Sequence, residues 1–178
     1  MLKKFKTKKG KEISIRYLCI EDTKDLLKVY NALFEERAYT VATNKFTLKQ
    51  ETLFIQGCLN RIERGQEIKL VVEYNGHVVG ISGIEKELSP MEDHRGTFGI
   101  MLSKEVRGEG VGEELTKTVI KEAKRFLKIK MVVLYVFEEN IPAINLYKKL
   151  GFYQFGRLEK GIKYFGKLKT EIFMAKNI

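Results

Sequence analysis

The chain has 178 residues, of which 44% are apolar and 11% aromatic, and its formal net charge is +10. This length and composition suffice for a full hydrophobic core, so we expect one domain, residues 1–178. No apolar run approaches the roughly 18 residues that span a bilayer, and the first residues lack the apolar core of a signal peptide. The cysteines, Cys19 and Cys58, are too few for a disulfide framework. We therefore predict a cytoplasmic protein with no membrane partner.

The excess of basic residues raises the question of a nucleic-acid partner. Positive charge attracts any polyanion, including DNA, RNA and acidic proteins. The lysines and arginines are spread along the chain, and no zinc-ligand spacing or aromatic–basic recognition motif accompanies them. We expect most of them on solvated faces, so a nucleic-acid partner is disfavoured and no metal site is predicted.

A β-hairpin is predicted at the start of the chain. Ile13 and Ile15 alternate with polar residues, which is the period of a strand with one buried face. The hairpin pairs residues 3–5 with residues 12–18 across a turn at residues 9–11.

Two helices are predicted next. The first covers residues 22–37, with Asp22 or Thr23 as its cap. The second covers residues 47–64, and Gly65 ends it. The apolar residues that recur at helical spacing in the second helix are Phe54, Cys58, Leu59 and Ile62. Two helices after one strand pair suit a lid that faces a substrate.

Three strands and a helix are predicted in the middle of the chain. Strands over 68–74 and 77–87 are joined by Asn75-Gly76, the strongest short-range signal for a tight turn. A further strand covers residues 95–102, and a helix covers residues 112–127.

The last part of the chain predicts four strands and one helix. Residues 131–137 are an almost continuous apolar run, expected of a central strand covered on both faces. Pro142 suits the first turn of a short helix that Gly151 terminates. Turns at Gly161 and Gly166 then separate the last three strands, 153–158, 162–165 and 170–175.

The glycine-rich segment 106–115 leads from a strand into a helix and predicts an anion site. Glycines at three alternate positions, 108, 110 and 112, let the backbone approach a ligand, and Arg107 adds a cation. The N–H groups at the start of the helix point towards an anion. The spacing matches neither the Walker-type loop nor the dinucleotide fingerprint. The alternative interpretation is a mobile loop before a helix.

Arg107-x-x-Gly110-x-Gly112 resembles the acyl-CoA pyrophosphate loop of the GNAT superfamily of N-acetyltransferases. Residues 140–152 resemble that family's Asn-x-x-Ala-x-x-x-Tyr-x-x-x-Gly-Phe segment, and the order of predicted elements extends the resemblance over most of the chain. The resemblance implies an α/β fold with a mixed sheet flanked by helices. In that fold two strands splay apart and acyl-CoA fills the resulting V.

The resemblance also implies direct attack of a primary amine on the thioester of acetyl-CoA. Tyr147 matches the residue that protonates the departing thiolate, and Asn140 matches the one that contacts pantetheine or an ordered water. The alternatives are a packing residue for Tyr147 and a helix cap for Asn140. The coenzyme-binding residues that the resemblance implies are Ile100, Met101, Leu102, Arg107, Gly108, Glu109, Gly110, Val111, Gly112, Asn140 and Tyr147.

The general base departs from the family pattern, because Thr97 stands where many members carry a glutamate. Glu85, on the preceding strand, is our candidate, acting directly or through a water. His94 has a suitable intrinsic pKa but lies in a predicted loop. For both side chains the alternative is an ordinary surface residue.

Gly99 lies where the resemblance implies a bulge in the strand before the phosphate loop. The backbone of residues 98–102 is then expected to bond to the pantetheine arm as an added strand. The alternative is that Gly99 only packs closely against a neighbour.

The expected partners are acetyl-CoA and an amine acceptor, either a protein N-terminus or a small molecule, and a homodimer is compatible with the resemblance. Residues 156–167 resemble a branch that includes ribosomal-protein N-terminal and small-amine acetyltransferases. The alternative function is a non-catalytic CoA-responsive or nucleic-acid-binding module on the same fold, which the charge of +10 motivates. Asn140 and Tyr147 argue against that alternative, and Thr97 leaves it open.

Overall fold

The computed structural model describes residues 1–40 and 43–178. Its strands are β1 (Lys3–Lys6), β2 (Glu12–Tyr17), β3 (Glu67–Tyr74), β4 (His77–Lys86), β5 (Arg95–Leu102), β6 (Met131–Phe137), β7 (Tyr153–Tyr164) and β8 (Lys167–Asn177). Its α-helices are α1 (Thr23–Glu35), α2 (Leu48–Glu63), α3 (Val111–Phe126) and α4 (Ile141–Lys149). The element order is the one predicted from the sequence, except after residue 152.

The strands form one mixed sheet of order β1-β2-β3-β4-β5-β6-β8-β7. Neighbouring strands are antiparallel except β5 and β6, which run parallel. That parallel pairing covers only Arg95–Thr97 with Met131–Val133. Beyond Thr97 the two strands diverge, while β5 stays paired with β4 as far as Leu102. The predicted splayed, mixed α/β sheet is confirmed.

Strand alternation separates the side chains into two layers. The larger core cluster includes Ile84, Phe98 and Leu134 from the sheet and packs against α3 and α4, represented by Leu115 and Ile144. The smaller cluster packs sheet residues such as Val71 and Ile81 against α1 and α2. Side chains at odd positions of β5 and β6, and of β4 from Ile81 onward, thus face the α1–α2 side, and those at even positions face the α3–α4 side. At the start of β4 the register shift reverses this pattern, so Val78 faces α1–α2 and Val79 faces α3–α4.

Side-chain hydrogen bonds define the starts of α1 and α2 differently. Asp22 precedes α1, but its side chain does not cap the helix. Its carboxylate instead receives two hydrogen bonds from the Arg16 guanidinium, at 2.7 and 2.9 Å, and one from the Cys19 N–H. The α2 helix begins with a capping box in which Thr47 and Gln50 bond to each other's backbone N–H.

Phe54 does not lie on the packing face of α2, so that prediction is wrong. Its side chain is 40% exposed, whereas Ile55 and Cys58 are completely buried. Helical spacing alone leaves the orientation of a face uncertain by one residue, and here the shifted face places Phe54 on the wall of a large cleft.

The turn predicted at Gly161 is also wrong, because residues 153–164 form the single strand β7. The register with β8 shifts between Leu158 and Ile162, and Lys160 has a positive φ of 54°. A bulge therefore absorbs the extra residues without reversing the chain. The turn at Gly166 is present, with a φ of 78°.

The strand β6 is interior and mostly buried, but it is the sixth of the eight strands. Its one exposed side chain, Tyr135, is 52% exposed and lies beside the splay. The predicted central strand is thus found at the point where the sheet divides.

We expect the Glu51→Gln variant to be more stable than the wild type above pH 7. The Glu51 side chain is 3% exposed, and its Oε2 has no hydrogen-bond partner among the described residues. Burial raises the pKa of this carboxyl from 4.5 to about 7. The folded state therefore binds the Glu51 proton more tightly than the unfolded chain does. This tighter binding stabilises the fold at low pH, and the stabilisation is lost as the pH rises from the pKa of the unfolded chain through that of the folded state.

At pH 8 we expect Glu51→Gln to gain about 1–3 kcal/mol, because the amide stays neutral where the carboxyl must ionise in a buried site. At pH 5 the gain should largely disappear. Thermal melts at the two pH values measure the difference, and Glu63→Gln, at an exposed position of the same helix, is the control. An equal gain at both pH values would contradict the prediction.

Candidate active site

A cleft of about 960 Å³ opens where β5 and β6 diverge. It reaches both faces of the sheet, because its walls include Thr97 and Tyr135 from the α1–α2 side and Phe98 and Val136 from the α3–α4 side. Most of the predicted site residues, both those that the resemblance implied and the candidate base, lie together on its wall. These are Ile100, Met101, Leu102, Arg107, Gly108, Gly110, Gly112, Asn140, Tyr147 and Glu85.

The glycine-rich loop presents an uncapped helix start to this cleft. Gly108 and Gly110 have φ values of 73° and 88°, which glycine adopts without strain. The first-turn N–H groups of α3 have no intrahelical partner, and no side chain of a described residue caps this helix. A Cβ at Gly108 or Gly110 would have no described atom within 4 Å. This space and these donors suit an anion.

Arg107 lies in the cleft wall with its guanidinium already bonded to protein. Its Nε donates to the Leu102 carbonyl at 2.8 Å, and its Nη1 lies 2.9 Å from the Glu36 carboxylate. Because Glu36 directly follows α1, this cation links the phosphate loop to the α1–α2 side of the sheet.

Glu109 and Val111 belong to the motif, but their side chains leave the cleft. Glu109 is 4% exposed, and its carboxylate accepts hydrogen bonds from Thr7 Oγ1 and Lys11 Nζ, both at 2.8 Å. The Lys11 bond, with the Thr7 bond second, lowers the pKa of this carboxyl. Val111 is completely buried in the larger core. Any contact of these two residues with a ligand is therefore through the backbone.

Gly99 lies in an unbroken antiparallel register with Gly83 of β4, so the predicted bulge is absent. A Cβ at Gly99 would have no described atom within 4 Å, so close packing does not explain the glycine. The residue lines the cleft just beyond the last pairing of β5 with β6. The divergence of two strands, and not a bulge, opens the backbone there.

Tyr147 has both a packing environment and a position on the cleft wall. Its ring is 6% exposed, with ring centroids 6.0 Å from Phe98 in edge geometry and 5.8 Å from Phe152. Burial raises the pKa of the hydroxyl to about 12, so the group keeps its proton at neutral pH. No described residue hydrogen-bonds to that hydroxyl. A protonated, unengaged hydroxyl is a suitable proton donor.

Asn140 caps a helix and also lines the cleft, so both of its predicted roles are compatible with the structure. Its Oδ1 accepts a hydrogen bond of 3.4 Å from the Ala143 N–H and thereby caps α4. The residue still lines the cleft, and its side-chain NH₂ keeps two donors for a ligand or a water.

The candidate bases lie in different surroundings. The Glu85 side chain lines the cleft but is 56% exposed and lies 3.6 Å from Arg61 Nε. His94 is exposed before β5 and does not line the cleft, and its carbonyl accepts from the Lys130 and Met131 N–H groups. Thr97 Oγ1 donates to Glu87 at 2.9 Å. Neither Glu85 nor His94 therefore forms a hydrogen bond with a described group deep in the cleft.

Sequence reasoning missed a group of residues at the α1–α2 end of the cleft, of which Glu171 of β8 is the titratable member. It pairs across the sheet with Phe137, whose ring centroid is 5.4 Å from that of Tyr39. All three residues line the cleft. The pairing of distant segments brings them together, and no motif or spacing in the sequence signals it.

Residues 1–40 and 43–178 contain neither a candidate metal cluster nor a candidate membrane-spanning helix. No three acidic, histidine or cysteine side chains there are grouped to hold a metal ion. None of the helices in these ranges has the length and apolar character to cross a membrane.

Comparison with known proteins places this chain in a family. The family model described as Acetyltransferase (GNAT) family matches residues 26–152. The N-alpha-acetyltransferase of Sulfurisphaera tokodaii is 30% identical over 154 residues, which are 82% of this chain and 83% of that protein. The L-amino acid N-acetyltransferase of Escherichia coli is 34% identical over 84 residues, 47% of this chain. That match spans about half of the relative, 52%.

The fold is also that of known acetyltransferases. The crystal structure of the ribosomal-protein-alanine N-acetyltransferase from Brucella melitensis superposes with a TM-score of 0.83 at 25% identity, covering 93% of this chain and 99% of that one. The matched family model covers both segments that carried the resemblance, residues 107–112 and 140–152. The predicted family is thereby confirmed, and the chain belongs to the GNAT family of acetyltransferases.

Proposed function

We propose that this protein transfers the acetyl group of acetyl-CoA to the nitrogen of a primary amine in the cleft between β5 and β6. The observation that carries the proposal is that one cleft contains an uncapped helix start, a strand with one open side and a buried, protonated tyrosine. Membership of the GNAT family supplies the reaction class.

The residues present fit acetyl-CoA. The N–H groups at the start of α3 and the open backbone at Gly108 and Gly110 suit its pyrophosphate. The β5 backbone from Phe98 to Leu102 has no β6 partner and suits the amides of the pantetheine arm, in the manner of an added strand. The coenzyme's negative charge also matches a chain of net charge +10.

The chemistry assigned to this chain's residues follows from their protonation states. The acceptor must lose a proton before its nitrogen attacks the thioester carbonyl carbon. When the C–S bond breaks, the Tyr147 hydroxyl gives its proton to the departing thiolate sulfur. Because burial keeps the Tyr147 pKa at about 12, that proton is present at the start of each turnover. The Asn140 NH₂ group orients the coenzyme arm or a water.

The acceptor class is a primary amine, from a protein N-terminus or a small molecule. The names of two relatives, an L-amino acid N-acetyltransferase and an N-alpha-acetyltransferase, both describe acetylation of a nitrogen, which supports this class. The free thiols of Cys19 and Cys58 support a reducing, cytoplasmic location. A single domain over residues 1–178 and a homodimer stay predictions.

We expect acetyl-CoA to raise the melting temperature, because the folded cleft binds it and the unfolded chain does not. Ligand at about 100 times its dissociation constant adds about 2.7 kcal/mol to the free energy of unfolding. Thermal melts with acetyl-CoA, and with ATP as a control for anion binding, measure this effect. The absence of any shift at millimolar acetyl-CoA would contradict the proposed coenzyme site.

Catalysis is tested by thiol release from acetyl-CoA across a panel of amines, peptides with free N-termini and polyamines. The proposal expects release that depends on the amine. Stabilisation by acetyl-CoA without release for any acceptor, together with salt-dependent binding of nucleic acid, would instead support the non-catalytic alternative.

A further inference from the structure

The α1–α2 end of the cleft contains a carboxylate on an aromatic wall. Glu171 of β8 lies directly opposite Phe137 of β6, so both side chains are on the same face of the sheet. The Phe137 ring contacts Tyr39 and Tyr164, with centroid separations of 5.4 and 5.0 Å. Tyr39, Phe137 and Glu171 line the cleft together with Ile162. We call this group, Tyr39, Phe137, Ile162 and Glu171, the acceptor pocket.

Glu171 has no hydrogen bond or ion pair with any described residue, although its neighbours are paired. Glu138 is 2.7 Å from Arg157, and Glu139 is 2.7 Å from Lys169. Across the cleft Lys69 forms an ion pair with Glu67, and the Lys69 Nζ lies 2.8 Å from the Glu67 Oε1. In a chain of net charge +10, this half-buried carboxylate thus faces the cleft without a cation of its own.

We propose that Glu171 binds the ammonium group of the acceptor and receives its proton, in an acceptor pocket that takes a cationic amine on an apolar stem. The inference rests on the proposed acetyl transfer and identifies the base that the sequence left open. Aromatic faces such as those of Tyr39 and Phe137 attract a cation and pack an apolar stem equally well. An acceptor with its own carboxylate beside the amine is repelled by Glu171.

Burial raises the pKa of Glu171, which is the direction a base that works near neutral pH requires. The charged and titratable groups on the elements around Glu171 are Tyr39 after α1, Tyr135 on β6, Glu138 and Glu139 after β6, and those of the last two strands. On β7 these are Tyr153, Arg157, Glu159, Lys160, Lys163 and Tyr164, and on β8 they are Lys167, Lys169 and Lys176. Arg157 and Lys169 are paired with acids other than Glu171, and none of the described lysines of β7 and β8 forms an ion pair with Glu171. Glu85, in contrast, has Arg61 beside it and a side chain that is 56% exposed.

The step balances in atoms and charge. An ammonium N–H gives its proton to a Glu171 oxygen, and the freed lone pair forms the C–N bond to the acetyl carbonyl carbon. The C–S bond then breaks, and the thiolate takes the Tyr147 proton. The product is then an N-protonated amide, and its nitrogen gives one proton to the Tyr147 phenolate, which restores the hydroxyl. Glu171 releases its own proton to solvent when the amide product leaves.

The test measures kcat/KM against pH, at saturating acetyl-CoA, for the wild type and for Glu171→Gln. The probes are phenethylamine, an alanyl peptide amide and free glutamate. In the wild type kcat/KM rises through the pKa of Glu171 and is then flat up to the pKa of the amine. In Glu171→Gln only the free amine reacts, so kcat/KM rises about tenfold per pH unit and is roughly 10²-fold lower near pH 7.

Glu159→Gln is the matched control, because it removes the same charge from an adjacent strand at a side chain that is 73% exposed. We expect it to keep the wild-type profile. The melting temperature and its shift with acetyl-CoA should be unchanged in both variants. If Glu171→Gln folds poorly, Glu171→Ala with added sodium formate replaces it, and we expect formate to restore activity.

The outcomes separate the two proposals. Suppose that the wild type acetylates phenethylamine or the peptide and that Glu171→Gln shows the same pH profile. This result overturns the role of Glu171 and leaves acetyl transfer standing. Free glutamate as the best acceptor overturns the acceptor pocket's preference for cations. A wild type whose thiol release is not increased by any amine contradicts the proposed function itself.

Discussion

Replacement of Tyr147 by Phe should lower turnover roughly 10²-fold or more, with the fold and the affinity for acetyl-CoA little changed. The substitution keeps the ring and therefore its contacts with Phe98 and Phe152. It removes only the hydroxyl, which has no hydrogen-bond partner among the described residues. The departing thiolate then leaves without a proton donor, so the loss falls on kcat and not on coenzyme binding.

The measurement is kcat with the best acceptor of the panel, together with thermal melts with and without acetyl-CoA. Tyr30→Phe is the control, because that ring is also buried, stacks on Phe46 and lies outside the cleft. Single-turnover rates confirm that chemistry limits the reaction. Normal turnover in Tyr147→Phe would mean that the residue only packs, and the proton donor would then be a water held near Asn140.

The Gly110→Val variant should lose the stabilisation by acetyl-CoA that the wild type shows. Gly110 precedes the first turn of α3, and its Cβ position is open space on the wall of the cleft. A branched side chain there occupies the approach of the pyrophosphate to the helix N–H groups. The positive φ of 88° adds a conformational cost of about 1–2 kcal/mol to the variant's own stability.

Gly65→Val isolates that conformational cost. Gly65 has a φ of 68°, and a Cβ there would also have no described atom within 4 Å, but it ends α2 outside the cleft. Both variants should melt lower than the wild type, and only Gly65→Val should keep the full shift with acetyl-CoA. Gly112 is less suitable, because its Cβ would lie 3.3 Å from Leu146 Cδ2. An equal shift in both variants would place the pyrophosphate elsewhere.

The parts of the fold that short-range signals determine were predictable. Asn75 and Gly76 have positive φ values of 50° and 77° in the turn between β3 and β4, as the dipeptide predicts. The glycine-rich loop before α3 has a contiguous motif of the same kind. Gly161 shows the limit of this reasoning, because a glycine that permits a turn also permits a bulge, and the pairing with β8 decides between them.

The candidate site divides in the same way. The motif around Arg107 and the segment from Asn140 to Tyr147 are local, and both line the cleft. The motif does not tell which side chains face the ligand, and Glu109 turns instead to the hairpin that contains Thr7. Glu171 reaches the cleft only through strand pairing between segments far apart in the chain, so the sequence offered no signal for it.

The short pairing of β5 with β6 has a mechanical consequence. Three residue pairs join a five-stranded part of the sheet, β1 to β5, to a three-stranded part, β6 to β8. A ligand bonded to β5 on one side and packed against α4 on the other connects the two parts. Acetyl-CoA would then act as a structural member of the sheet as well as a reactant, and the two parts would unfold more nearly as one unit while it is bound.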